Sequence, residues 1–258
     1  SVVLRTAIFT VVPPVAFGNN CPLVIFNSSK PFELLLFASC ASSLIFDYVT
    51  RQNLGGSHMN FFILKQLPLL SPSQHNNISP WHRGMKCGDW IWPRALELSY
   101  TSWDLQPFAL DCDYNGPPFR WEEERRFLIR CELDAAYFHL YGISRDDVDY
   151  IMETFPILKR KDEATYGTYR TKEKILEIYD EMVRVSVENA ASLSSDREAT
   201  IYQTRLEPPP GPPMDAEGNI ISMYRWDRDN WPANIHITHS EWEESLLSAW
   251  FVVCQKSW

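Results

Sequence analysis

The distribution of apolar and polar residues predicts strands at the start of the chain. Residues 2–12 and 23–26 are rich in β-branched and other apolar side chains, and the stretch between them contains Pro, Gly and Asn. This pattern is typical of two strands joined by a turn-rich loop. A long apolar segment follows at 32–49, and we predict a helix there, with Gly55 and Gly56 marking its end.

The next two segments are predicted to be non-helical. Residues 57–70 form an apolar run that Pro68 closes, which favours a strand. Residues 71–88 combine Pro, Ser, Asn and His, which is typical of a polar loop.

From residue 89 onward the spacing becomes helical. Over 120–141 the apolar residues recur at steps of three and four, which places them on one helix face. Ser144 followed by Asp147 has the spacing of a capping box. We predict helices over residues 89–110, 120–141, a short segment after 144, 171–193 and 240–254.

The order of elements predicts an α+β fold, with a small, partly antiparallel sheet near the N-terminus followed by a predominantly helical body. Five prolines between residues 208 and 213 favour an extended linker. We therefore divide the chain into a strand–helix–strand part (1–88), a helical part (89–206) and a Pro-rich linker with a tail lobe (207–258).

Charge narrows the partners that the chain can have. The net charge of −9 excludes a uniformly basic nucleic-acid coat. Residues 1–100 hold seven basic and four acidic side chains, whereas residues 131–258 hold 13 and 23. A DNA-binding face should therefore lie in the first part. No apolar run approaches the roughly 20 residues of a membrane helix, so we expect no membrane partner and a cytoplasmic protein.

Motifs for catalysis and metal binding are absent from the sequence. The six cysteines form no CxxC pair, and His236 and His239 have no third ligand nearby, so we predict no metal site. Neither a glycine-rich phosphate loop nor a nucleophile with an arguable base is present. The chain begins at Ser1 without the features of a signal peptide, and we expect it to be a piece of a longer protein.

The segment 46–70 carries the most specific pattern, a polar corner between two apolar elements. Arg, Gln and Asn side chains can bridge two atoms on the edge of a base, and glycine lets the backbone approach a phosphate closely. An ordinary helix–turn–strand corner is the alternative. The candidate DNA-contacting residues are Arg51, Gln52, Asn53, Gly55, Gly56, Ser57, His58, Asn60, Lys65 and Gln66.

Several blocks in order resemble a known family. They cover residues 8–24, 46–70, 96–109, 117–163 and 169–182, and their order is similar to the C-terminal target-recognition region of adenine-specific DNA methyltransferases of the type IIG restriction–modification kind. The resemblance spans roughly residues 1–193, and the portion 117–182 is its most distinctive part.

The resemblance implies that this chain and an upstream domain of the same protein have different roles. In that family an upstream methyltransferase domain of the same chain binds S-adenosylmethionine and carries an Asn-Pro-Pro-aromatic motif. The sequence Asn115-Gly116-Pro117-Pro118 is not that motif. The resemblance therefore implies that this fragment holds no cofactor and no catalytic residue and reads double-stranded DNA. Arg51 would suit guanine, Gln52 or Asn53 adenine, and Lys65 a phosphate. Whether the parent also cleaves DNA stays open.

Two other functions remain open at this stage. The acidic balance, ten Trp and helix-rich second half also fit a non-catalytic protein–protein interaction module. A hydrolase acting on a sugar would need two carboxylates paired in one pocket. Salt-dependent binding to duplex DNA separates the DNA reader from the interaction module.

Overall fold

A small antiparallel sheet and a larger helical body make up the fold, which confirms the predicted α+β class. The computed structural model describes residues 4–13, 23–25, 30–54, 59, 61–192 and 200–206, and the backbone of 251–255. The sheet has the order β1-β3-β2, with strands β1 (Ile8–Val12), β2 (Leu23–Ile25) and β3 (Phe251–Gln255).

The middle strand of the sheet comes from a distant part of the sequence. Strand β3 pairs antiparallel with both N-terminal strands, and Val252 lies opposite Val11 on one side and Val24 on the other. The helix predicted over 240–254 is therefore wrong at its C-terminal end. Because a run of β-branched residues gains its partners only through long-range pairing, local spacing did not reveal this strand.

The described helices occupy most of the chain between residues 32 and 192. They are α1 (Phe32–Ala41), α2 (Leu44–Asn53), α3 (Phe61–Leu64), α4 (Pro72–His75), α5 (Cys87–Ser99), α6 (Gln106–Asp111), α7 (Glu123–Leu140), α8 (Arg145–Glu153), α9 (Pro156–Tyr166) and α10 (Arg170–Ser192), with a 3₁₀ turn at Trp103–Leu105.

The apolar segment predicted as one helix over 32–49 is divided into α1 and α2, which are bent by 60°. Ser43 adopts an extended backbone, and its hydroxyl caps α2 by accepting from the Phe46 amide. The Leu44 amide donates to Asp134 Oδ1 on α7 at 2.7 Å. These two acceptors satisfy amides that the break leaves without a helical partner.

None of the described helices is by itself long and apolar enough to cross a bilayer. Helices α1 and α2 reach that length and apolarity only when they are taken together.

The strand predicted over 57–70 is also wrong within the described residues. Residues 61–64 form the short helix α3, and a turn then leads to the buried side chain of Leu67. The predicted loop 71–88 contains α4, where Ser71 and Gln74 form a capping box. An apolar run of this length fits a helix or a strand equally well, so composition alone did not distinguish them.

The helices predicted over 120–141, after 144 and over 171–193 are present as α7, α8 and α10, and Ser144 caps α8 by accepting from the Asp147 amide. The single helix predicted over 89–110 is wrong in its middle, because α5 ends at Ser99 and residues 100–102 separate it from the 3₁₀ turn and α6. Helix α9 was not predicted.

Helix α7 lies at the centre of the body: its residues from Ile129 to Phe138 are largely buried, and α10 and α5 pack against it. A second apolar cluster joins β1, α1, α5 and α6. Leu44 and Ile45 of α2 belong to the first cluster and Phe46 to the second, so the start of α2 is packed into both.

Candidate nucleic-acid interface

The end of α2 is fixed by a buried carboxylate that the sequence analysis did not single out. Asp47 is fully buried, and its Oδ1 accepts from the backbone amides of Thr6 and Ala7 at 2.6 and 2.7 Å. Its Oδ2 lies 2.9 Å from a terminal nitrogen of Arg51, one helical turn later. The spacing of Asp47 and Arg51 by four residues is the sequence signal for this pair. Asp47 thus fastens the segment that enters β1 to α2.

Arg51 is engaged in contacts within the chain. Its Nε donates to Thr6 Oγ1 at 2.9 Å, a terminal nitrogen donates to the Leu4 carbonyl at 3.0 Å, and the guanidinium lies 4.2 Å from the ring centre of Phe155. Burial lowers the pKa of Arg51, while the charge of Asp47 opposes this shift. The guanine-reading role predicted for Arg51 would require these contacts to open.

The residues that follow Arg51 face outward. Gln52 and Asn53 are exposed, and Asn53 also donates from Nδ2 to the Val49 carbonyl at 2.8 Å. Lys65 and Gln66, just beyond α3, are exposed as well, and Lys65 makes no ion pair with a described residue. Four predicted side chains therefore lie at the surface, two before and two after residues 55–58 in the sequence. The predicted contacts at Gly55, Gly56, Ser57, His58 and Asn60 lie outside the described residues.

The exit of this corner is also anchored. Tyr141, at the C-terminal end of α7, donates from its hydroxyl to the Pro68 carbonyl at 2.6 Å. Its oxygen lies 3.3 Å from Cys40 Sγ on α1. Between the two anchors, Phe61 and Phe62 are 48% and 73% exposed. The corner thus presents polar and aromatic side chains between two fixed ends.

The basic residues of the acidic half are largely neutralised by their neighbours. Lys172 forms ion pairs with Asp149 and Glu153, and Lys159 pairs with Glu153 as well. Arg170 pairs with Glu124 and stacks on aromatic rings. These cations lie on helix surfaces and already have carboxylate partners, which is a more common arrangement for a basic cluster than phosphate contact.

Thiol chemistry is not favoured at the described cysteines. Cys40, Cys87, Cys112 and Cys131 are free and buried, and burial raises the pKa of Cys87 to about 11 and that of Cys112 to about 12. A thiol with a raised pKa is a poor nucleophile and metal ligand at neutral pH. Among the described residues no group of three or more His, Cys, Asp and Glu side chains could hold a metal ion.

Comparisons of the chain with protein-family models, with curated proteins and with solved structures find no match.

Proposed function

We propose that this chain is the DNA target-recognition part of an adenine-specific, S-adenosylmethionine-dependent DNA methyltransferase of a restriction–modification system, acting in the cytoplasm. An upstream domain of the same protein would bind the cofactor and transfer the methyl group. The observation that carries the proposal is the surface position of Gln52, Asn53, Lys65 and Gln66, two before and two after Gly55 and Gly56 in the sequence, while Asp47 anchors α2 and Tyr141 anchors Pro68.

This arrangement suits the reading of a duplex. A methyltransferase that modifies adenine must swing the base out of the stack, so the rest of the duplex has to be held by another surface. Gln52 and Asn53 carry amides that can pair with the N6 and N7 edge of adenine, and each such contact contributes about 1–3 kcal/mol of discrimination. Lys65 would contact a phosphate, which sets the register of the protein on the duplex. Arg51 positions the end of α2 through its contacts with Asp47 and Thr6.

A protein–protein interaction module is the second candidate function. It is favoured by adjacent apolar side chains at the surface, because Phe61 and Phe62 are 48% and 73% exposed. Exposed apolar patches commonly mark protein interfaces. Within the proposed function the same side chains would instead contact the upstream domain.

A salt titration of duplex binding tests the proposal. The chain is mixed with a fluorescent pool of random-sequence duplexes, and fluorescence anisotropy gives the binding constant at several salt concentrations. We expect the logarithm of this constant to fall linearly with the logarithm of salt concentration, and Lys65→Gln to reduce the slope by about one. Lys161→Gln removes the same charge from an exposed position on α9 and is the matched control. The absence of duplex binding at every salt concentration would reject the proposal in favour of the interaction module.

A further inference from the structure

A cavity of about 340 Å³ lies between the segment entering β1, the end of α1, α5 and α7. Three arginines line it, Arg5, Arg126 and Arg130, and the carboxylate in its lining is Asp134. The surface residues Gln52, Asn53, Lys65 and Gln66 do not line this cavity. Its lining is therefore a separate candidate site with an excess of positive charge.

Helix α7 supplies three of these charged groups from one face. Arg126, Arg130 and Asp134 are spaced by four residues, so they follow one another along the same side of the helix. Burial, and after it the charge of Arg130, lowers the pKa of Arg126 to about 10, while the charges of Glu123 and Glu97 oppose the shift. Two cations held together in this way favour an anion between them.

Arg126 is a fixed cation with an unused donor. Arg126 is only 7% exposed. One terminal nitrogen of its guanidinium donates to the Leu98 carbonyl at 3.0 Å, and the guanidinium lies 3.7 Å from the ring centre of Trp121. Its buried Nε has no hydrogen-bond partner within the described part of the chain. A buried donor without a partner is destabilising.

The carboxylates near the two arginines already have other hydrogen-bond or ion-pair partners. Arg130 is exposed and forms no ion pair within 4 Å of a described residue. Burial raises the pKa of Asp134 to about 6, and its Oδ1 already accepts from the Leu44 amide. Glu97 of α5 is paired with Arg125.

Two further charged groups lie close to the same arginines. Glu123, at the start of α7, is exposed and accepts from the Trp121 indole. Arg5 donates to the Ser42 carbonyl and lies 3.8 Å from Asp47 Oδ1.

We infer that this cavity binds the oxyanion of a phosphate group, with Arg126 and Arg130 as its principal ligands. A guanidinium presents planar, paired donors that match phosphate oxygens, and Arg126 is already oriented by Leu98 and Trp121. A phosphodiester of a DNA backbone and a free phosphate ester share this chemistry. The inference stands on the residues of the cavity and does not require the recognition corner to read DNA.

Inorganic phosphate is the first probe, with arginine Nε–H resonances as the readout. We expect a saturable shift of the Arg126 and Arg130 signals, and at least a tenfold loss of phosphate affinity in Arg130→Gln. Because Arg130 is exposed, this variant should keep the fold, which circular dichroism verifies. Arg160→Gln removes an exposed arginine from α9 and should leave the affinity unchanged. Phosphate binding that is not saturable, or that Arg130→Gln leaves unaltered, overturns the inference.

A second arm identifies the source of the phosphate. A weaker duplex affinity with a reduced salt slope in Arg130→Gln assigns the site to the DNA backbone, whereas tighter binding of a nucleoside monophosphate than of duplex assigns it to a free ester. Saturable phosphate binding without any duplex binding supports the cavity and rejects the proposed function. Duplex binding together with no phosphate signal at Arg126 and Arg130 rejects the cavity and leaves the proposed function in place.

Discussion

Arg94 on α5 donates from Nε to Oε2 of Glu132 on α7 across 2.8 Å, and the guanidinium lies 3.5 Å from the ring centre of Trp90. Glu132 is fully buried. Its other oxygen accepts hydrogen bonds from the segment 200–206, donated by the Tyr202 hydroxyl, the Thr204 hydroxyl and the Arg205 amide. One carboxylate therefore ties two helices and a returning segment together.

Truncation of this carboxylate should be strongly destabilising. Glu132→Ala leaves Arg94 and three donors without their acceptor, and loss of one partner of a buried ion pair costs about 3–5 kcal/mol. Urea unfolding measures the free energy of unfolding, and hydrogen exchange should show faster exchange at residues 200–206. Glu188→Ala is the control, because its ion pair with Arg184 is exposed and worth about 0–1 kcal/mol. Equal costs for the two variants would contradict the role given to Glu132.

Substitutions of the neighbouring residues Arg51 and Gln52 should have different effects on stability and on duplex binding. Arg51→Gln removes the cation from the buried Asp47, and we expect a loss of about 3 kcal/mol in the free energy of unfolding. Gln52→Ala changes an exposed side chain and should alter stability by no more than about 0.5 kcal/mol. In duplex binding, Gln52→Ala should lose base discrimination. An Arg51→Gln protein as stable as the wild type would show that the contacts of Arg51 with Asp47, Thr6 and Phe155 are dispensable for the fold.

The sequence predicts most of the helical body. The prediction fails where a strand or side chain depends on a segment distant in the sequence, and where an apolar run is too short to distinguish a helix from a strand. Helices α7 and α10 have clear three- and four-residue spacing, and the cap of α8 is a local signal. Strand β3 depends on strands at the opposite end of the sequence. Arg51 belongs to a polar run that suggests a surface, but Thr6 and Phe155, from distant segments, enclose it.

Asp134 should make stability depend on pH below neutrality. Burial raises its pKa to about 6, above the value of about 3.9 in an unfolded chain. The folded state therefore binds more protons between these values, and the free energy of unfolding should fall as the pH rises from 4 to 6. Asp134→Asn lacks this titration. The stability difference between wild type and variant should change by up to about 3 kcal/mol between pH 4 and 7. A constant difference would show that Asp134 titrates normally.

His139 should lower the free energy of unfolding as the pH falls, which is opposite to the effect of Asp134. Burial lowers its pKa to about 4, against about 6.5 in the unfolded chain, and its ring stacks on Tyr179 with centres 4.0 Å apart. Between these two pH values the unfolded state binds more protons than the folded state. The stability that neutral His139 contributes is therefore present above pH 6.5 and is lost as the pH falls towards 4. Urea unfolding of His139→Gln and wild type across this range should differ by an amount that shrinks on acidification, by up to about 3 kcal/mol. A difference that grows would contradict the assignment.

The most direct test of the recognition corner is a selection from random duplexes by the chain itself. Bound duplexes are recovered through repeated rounds and sequenced, for wild type and for the double variant Gln52→Ala, Asn53→Ala, with Gln203→Ala as an exposed control. We predict that wild type and the control enrich one common sequence containing adenine, and that the double variant loses preference at one or two of its positions. Enrichment of no sequence by the wild type, or the same sequence at full strength from the double variant, would contradict the account.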